Sequence, residues 1–159
     1  MAASISNTVA ARSLATQTDP SAAAIARGPL PAVVTITGSS PQDRDHNQPD
    51  GGDYRIFRQL ADTLGRRGIA VLRMDDRGVG ESTGDFESAT TPDRANDIRA
   101  GIAFLRSRPE IDQRRIALVG LSEGGLIAPV IAAKDTAVAG IVLLAGPGSI
   151  GREVIRYQV

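Results

Sequence analysis

The sequence predicts an α/β fold, a doubly wound and mostly parallel sheet with helices on both faces. Three observations lead there. Four short runs, β-branched or almost wholly apolar, recur along the chain. Segments with helical spacing of apolar residues separate them. Turns rich in glycine, proline or small polar residues follow the runs.

The elements follow in order. Residues 1–28 are rich in Ala, Ser and Thr, carry Arg12, Asp19 and Arg27, and show no alternating strand pattern. They read as a poorly ordered or atypical N-terminal segment. Residues 29–159 read as one domain. Ala32-Val33-Val34-Thr35-Ile36-Thr37 is a buried strand ended by Gly38. Ser39 to Gly52, with Pro41, Pro49 and Gly51-Gly52, is a loop. Asp53 is placed to cap the helix that Ile56, Phe57, Leu60, Ala61 and Leu64 define on one face. Ile69 to Met74 is the second strand, and Asp75 to Asp85 is a turn with three glycines. Thr91-Pro92-Asp93 opens a second helix, where the missing proline N–H costs little. Its apolar face is Ile98, Ile102 and Leu105. Arg115 to Gly120 is the third strand, Leu121 to Ala133 the third helix, and Val138 to Ala145 the fourth strand, closed by Gly146-Pro147-Gly148. Ligands of such sheets bind beyond the carboxyl ends of the strands. Chemistry is therefore expected after Thr37, Met74, Gly120 and Ala145.

Bulk properties exclude several function classes. The chain has 159 residues, 42% hydrophobic and 23% charged, with zero formal net charge. That balance gives no electrostatic case for nucleic acid or an anionic membrane as partner. There is no cysteine, hence no disulfide and no thiolate nucleophile. No apolar run reaches the roughly 18 residues of a spanning helix. Without an apolar signal region, cytoplasm is the default compartment.

Gly120-Leu121-Ser122-Glu123-Gly124 lies between the third strand and the third helix, the context a nucleophile elbow needs. The steric reason is specific. A sharp turn that projects a serine hydroxyl brings its neighbours too close for side chains, and Gly120 and Gly124 have none. Gly125 lets the helix pack close to the sheet. The turn would aim the Glu123 N–H and the positive end of the helix dipole at a developing oxyanion. The second donor usually comes from the loop after an earlier strand. Here the Ser39 N–H is the candidate, with Ser40 next. Asp75, Asp76 and Arg77 read as structural parts of their turn. His46 is the only histidine and lies in the polar loop, where such residues are usually exposed.

Ile36 to Asp45, Leu72 to Ser82 and Gly120 to Gly125 together resemble the α/β-hydrolase superfamily, and within it the bacterial esterase and serine-aminopeptidase-like branch. The D-x-R-G-x-G-x-S turn at Asp75 to Ser82, followed by G-x-S-x-G-G at Gly120 to Gly125, carries the resemblance, which covers roughly Gly28 to Tyr157. It implies hydrolysis of small-molecule carboxylic esters, or less often amides, through an acyl-enzyme on Ser122, with no metal or organic cofactor. Thr37 stands where the family often has a structural histidine, a change expected to perturb the loop without removing the donor.

A serine hydroxyl needs a general base at neutral pH. The superfamily order is Ser, then Asp or Glu, then His. After Ser122 the acids are Asp135 and Glu153, and there is no histidine. The expectation is an N-terminal portion of a hydrolase roughly twice as long, ending where Gly151 to Val159 begins a cap helix and inactive alone. Val138 to Ala145 would then be an apolar edge prone to self-association. The alternative is a non-catalytic module that uses the pocket for binding.

Overall fold

The computed structural model describes residues 29–47, 53–149 and 153. The N-terminal segment, Pro49, Gly51-Gly52 and the expected start of a cap helix, Glu153 apart, lie outside them. The element order is β1 (Leu30–Ile36), α1 (Ile56–Gly65), β2 (Ala70–Leu72), α2 (Thr91–Arg106), β3 (Ile111–Leu121), α3 (Gly124–Ala132) and β4 (Gly140–Leu144). The four strands pair in parallel in the order β2-β1-β3-β4. This is the α/β architecture expected from the alternation.

That order carries a functional consequence. The chain steps from β1 outward to β2, then returns across β1 to β3 and continues the other way to β4. The direction reverses between β1 and β3, whose register runs Val34 to Leu118, Thr35 to Val119 and Ile36 to Gly120. Loops leaving two adjacent strands to opposite sides open a crevice at their carboxyl ends. Thr37-Gly38 and Gly120-Leu121-Ser122 both leave the sheet there.

The core forms because the inner strands have no polar face to show. Val34, Ile36, Leu72, Ile116 and Leu118 are fully buried, with Ile102 and Leu105 of α2 and Ile127 and Ile131 of α3 against them. Phe57 and Ala61 bury the face of α1. Gly101 of α2 permits close packing, since a Cβ there would sit 2.9 Å from the Met74 sulfur. No helix among the described residues is long and apolar enough to cross a membrane.

Three local expectations need correction. Asp53 does not cap α1. Arg55 takes a left-handed conformation (φ 45°) immediately before the helix, and no side chain caps it. The Asp53 carboxylate instead accepts from Arg55 Nε at 2.6 Å. Its position two residues ahead of the turn puts the first-turn N–H groups out of its use. The third helix starts at Gly124, not Leu121, because Leu121 still pairs with Leu144 and the chain needs Ser122-Glu123 to turn. β3 begins earlier than Arg115. The buried Ile111 pairs with Leu30 ahead of a register shift, and the exposed Gln113, Arg114 and Arg115 are carried across that irregularity before pairing resumes at Ile116. α2 opens at Thr91 as expected, and Thr90 just before it is the cap. The Thr90 N–H donates to Asp93 Oδ2 at 2.9 Å and the Thr90 side chain accepts from the Asp93 N–H, a capping box.

Candidate active site

The strand-to-helix turn is tight and strained. Ser122 has φ 53°, the left-handed region that L residues rarely adopt. Such strain costs roughly 1–3 kcal/mol and persists only where surroundings enforce it. The enforcing contacts are visible. The Ser122 N–H donates to the Leu144 carbonyl at 2.9 Å, and the Ser122 carbonyl accepts from Gly125 N–H at 2.8 Å. A Cβ on Gly120 would overlap the Gly124 carbonyl, and a Cβ on Gly124 would overlap the Ile36 carbonyl. A Cβ on Gly125 would lie 2.7 Å from Gly146 Cα, beyond the end of β4. Backbone meets backbone on three sides of this turn.

The loop after β1 lies over the same point. A Cβ on Gly38 would be 3.5 Å from the Ser122 Cβ. The buried Gln42 side chain ties this loop to itself. Its Oε1 accepts from Gly38 N–H at 2.9 Å and its Nε2 donates to Ser40 Oγ at 3.0 Å. Ser39 is exposed at the loop's tip. No hydrogen bond among the described residues uses the N–H of Ser39 or of Glu123. The structure thus brings Ser122, Glu123 and the Gly38-Ser39 loop to the ends of adjacent strands.

Thr37 holds the base of that loop. Its hydroxyl donates to Asp76 Oδ1 at 2.6 Å. Arg94 Nη2 donates to the Thr37 hydroxyl at 3.0 Å and to its carbonyl at 3.3 Å. The expected perturbation at Thr37 is therefore met by a hydroxyl tied to a carboxylate and an arginine. Asp76 Oδ2 also accepts from Gln42 N–H at 3.1 Å. Sequence reading missed Gln42 and Arg94. Arg94 lies 57 residues from Thr37 along the chain, and nothing local marks the pairing.

The glycine turn after β2 is a scaffold, as its composition suggested. Asp75 accepts from Arg44 Nε at 3.0 Å, from Arg44 Nη2 at 2.5 Å and from Arg44 N–H at 2.8 Å. Arg77 makes a two-pronged pair with Asp97 of α2 at 2.5 and 2.9 Å. Gly80 (φ 56°) lies so close to the Asp75 carboxylate that a Cβ would be 2.5 Å from Oδ2. Burial alone would raise the Asp75 carboxyl, but the hydrogen bonds from Arg44 hold it below the ordinary value.

Asp76 goes the other way. Burial, opposed by the Thr37 hydroxyl and Arg94, pushes its carboxyl up to about 6. The native state keeps this proton at pH values where the unfolded chain, near 3.8, has released it. The stabilisation from Asp76 is thus present in acid and is lost as pH rises through about 6. A carboxyl ¹³C titration should find its midpoint near 6, and Asp76→Asn should flatten the fall in urea midpoint between pH 4 and 7. An Asp76 midpoint at or below the ordinary aspartate value would contradict this.

His46 is not exposed. It is half-buried with φ 67°, and its ring lies 4.9 Å from that of Phe57. Burial lowers its pKa, against the pull of Asp43. Asp135 forms a two-pronged pair with Arg106 at 2.8 and 3.0 Å. Among the described residues no group of three or more His, Asp or Glu side chains could hold a metal ion.

The fold and this turn can be set beside known proteins. A family model described as serine aminopeptidase, S33, matches residues 51–157. The chain belongs to that family. Esterase EstD of Thermotoga maritima is 31% identical to it over 132 residues, which cover 83% of this chain and 31% of EstD. Among solved structures, the α/β-hydrolase GrgF from a Penicillium species superposes with a TM-score of 0.61 at 26% identity, covering 76% of this chain and 39% of GrgF. Est1E of Butyrivibrio proteoclasticus, solved with ferulic acid bound, superposes with a TM-score of 0.64 at 24% identity, over 81% of this chain and 47% of Est1E. That second likeness is one of fold. This serine aminopeptidase family member is therefore an α/β-hydrolase superfamily protein. It spans about a third of the length of EstD.

Proposed function

We propose that Ser122 is the nucleophile of a serine hydrolase acting on small-molecule carboxylic esters, with amides a slower class, and that the Ser39 and Glu123 N–H groups form its oxyanion hole. The observation that carries this reading is the left-handed backbone of Ser122, held beneath Gly38 where β1 and β3 part. In the reaction, Ser122 Oγ attacks the carbonyl carbon and loses its proton to a general base. The carbonyl oxygen takes the negative charge, facing the two N–H groups and the N-terminus of α3. The tetrahedral species expels the alcohol, protonated by the same base, and water later releases the acid. His46, the one histidine of the chain, packs on Phe57. The base and its carboxylate partner would come from outside the described residues, in a polypeptide of the relatives' length.

The test supplies the base from solution. A fluorophosphonate in buffered imidazole should place one adduct on the peptide carrying Ser122, found by mass spectrometry. Ser122→Ala should carry none. An adduct on another residue, or equal labelling of the variant, overturns the reading.

The same reading covers self-association. In β4, Ile141, Val142 and Leu143 are 38%, 48% and 47% exposed. An apolar edge of this kind pairs with other edges. The isolated chain should elute as dimers or larger species that shift with concentration, and Val142→Lys should move it toward monomer. A wild-type monomer at every concentration would rule the edge out.

A further inference from the structure

Arg94 is a costly residue in a costly place. It is 7% exposed, and it sits in the first turn of α2, where the helix dipole disfavours a cation. Buried ion pairs seldom add net stability, because desolvation consumes the Coulomb gain. Stability therefore does not explain it, and its partners suggest what does. Arg94 Nη1 faces Glu123 Oε2 at 2.9 Å, an ion pair rather than an aligned hydrogen bond. Thr91 Oγ1 steadies the other oxygen of Glu123 at 3.3 Å. Arg94 Nη2 holds the Thr37 carbonyl and hydroxyl. Asp76 stands 3.9 Å away, and the guanidinium lies 5.0 Å above the Phe86 ring. The cavity beside it, about 30 Å³, is shared with Thr37, Asp76 and Phe86 and has room for water.

One fork thus joins the residue after Ser122 to the residue two before Ser39. We propose that Arg94 is a positioning residue for the oxyanion hole, with two effects. It sets the separation of the two segments that carry the Ser39 and Glu123 N–H groups. It also neutralises the Glu123 carboxylate, which otherwise would stand next to the nucleophile and repel the negative charge that forms there. The second effect arises because the residue directly after Ser122 is an acid. The proposal rests on the reading of Ser122, Glu123 and Ser39 given above.

The test measures the rate of Ser122 phosphonylation in imidazole for the full 159-residue chain, with thermal unfolding as the control for folding. Arg94→Met should slow labelling about 10- to 100-fold, the range for a loosened or repelled oxyanion. Arg94→Met combined with Glu123→Gln should recover much of that loss, because the unbalanced charge is gone. A purely structural arginine would give no such recovery. Arg94→Lys, which keeps the charge and loses the fork, serves where the methionine variant does not fold, and should slow labelling by less than Arg94→Met, about threefold to tenfold. An unchanged rate in a folded variant, or a double variant no faster than Arg94→Met, overturns the proposal. Amide deuterium exchange separates it from the parent reading. If the wild type takes no adduct at Ser122, the nucleophile reading fails. Arg94 is then judged by whether the hydrogen-bonded amides of the two segments, Gly38 after β1 and Gly125 after Glu123, exchange faster together in Arg94→Met. Exchange unchanged at both sites would sink the clamp as well.

Discussion

Gly124→Ala should cost the chain about 3 kcal/mol or more, a large share of a domain's usual stability. The reason is what the new methyl would meet. It would overlap the Ile36 carbonyl and come within 2.8 Å of the Thr37 carbonyl, at the end of the central strand. Ile36 ends β1 in register with Gly120 of β3, and the Thr37 carbonyl just beyond it is held by Arg94, so neither moves without disturbing the sheet edge or that contact. A side chain in the way could rotate aside; a buried carbonyl cannot. Gly120→Ala faces the same objection from the Gly124 carbonyl. Gly140→Ala is the control, because its Cβ would meet nothing within 4 Å. Urea unfolding followed by circular dichroism should show a lost or strongly lowered midpoint for Gly124→Ala and a near-native one for Gly140→Ala. A native midpoint for Gly124→Ala would mean the turn is looser than these contacts imply.

The second large effect is on turnover. The 159-residue chain should hydrolyse a p-nitrophenyl ester no faster than its Ser122→Ala variant in multiple-turnover assays. An unassisted serine hydroxyl is a poor nucleophile at neutral pH. Sites stripped of triad members keep about 10³- to 10⁴-fold over water from the oxyanion hole and binding. That residue does not depend on Ser122 and stays below a working esterase. Imidazole in the labelling experiment changes a single stoichiometric step, so an adduct there and silence here are compatible. Robust turnover abolished by Ser122→Ala would overturn the expectation. It would also require His46 to leave its place against Phe57 and act as base.

The alternation of strands and helices was legible without coordinates because each element carries its own periodicity. Val33-Val34-Thr35-Ile36 and Val138 to Ala145 announce buried or edge strands by composition alone. The Gly120 to Gly124 turn was legible for a related reason: its steric demand falls on glycines adjacent in the chain. Element ends were less so. The Asp53 cap failed because Arg55 turns left-handed, and β3 reached back to Ile111 because pairing with Leu30 recruits residues that have no strand signature.

Sequence by itself determined the fold class, the place of Ser122 at a strand-to-helix turn, and the structural part played by Asp75 and Arg77. These are properties of short segments, and short-range sterics and periodicity suffice for them. Tertiary structure alone decided that Arg94 reaches Thr37 and Glu123, that Gln42 and Asp76 brace the Gly38 loop, and that His46 packs on Phe57. The Arg94 and Asp76 contacts join residues distant in sequence, on segments that leave different strands. Such pairs leave no mark in local pattern, because what brings them together is the packing of α2 and the loops against the whole sheet.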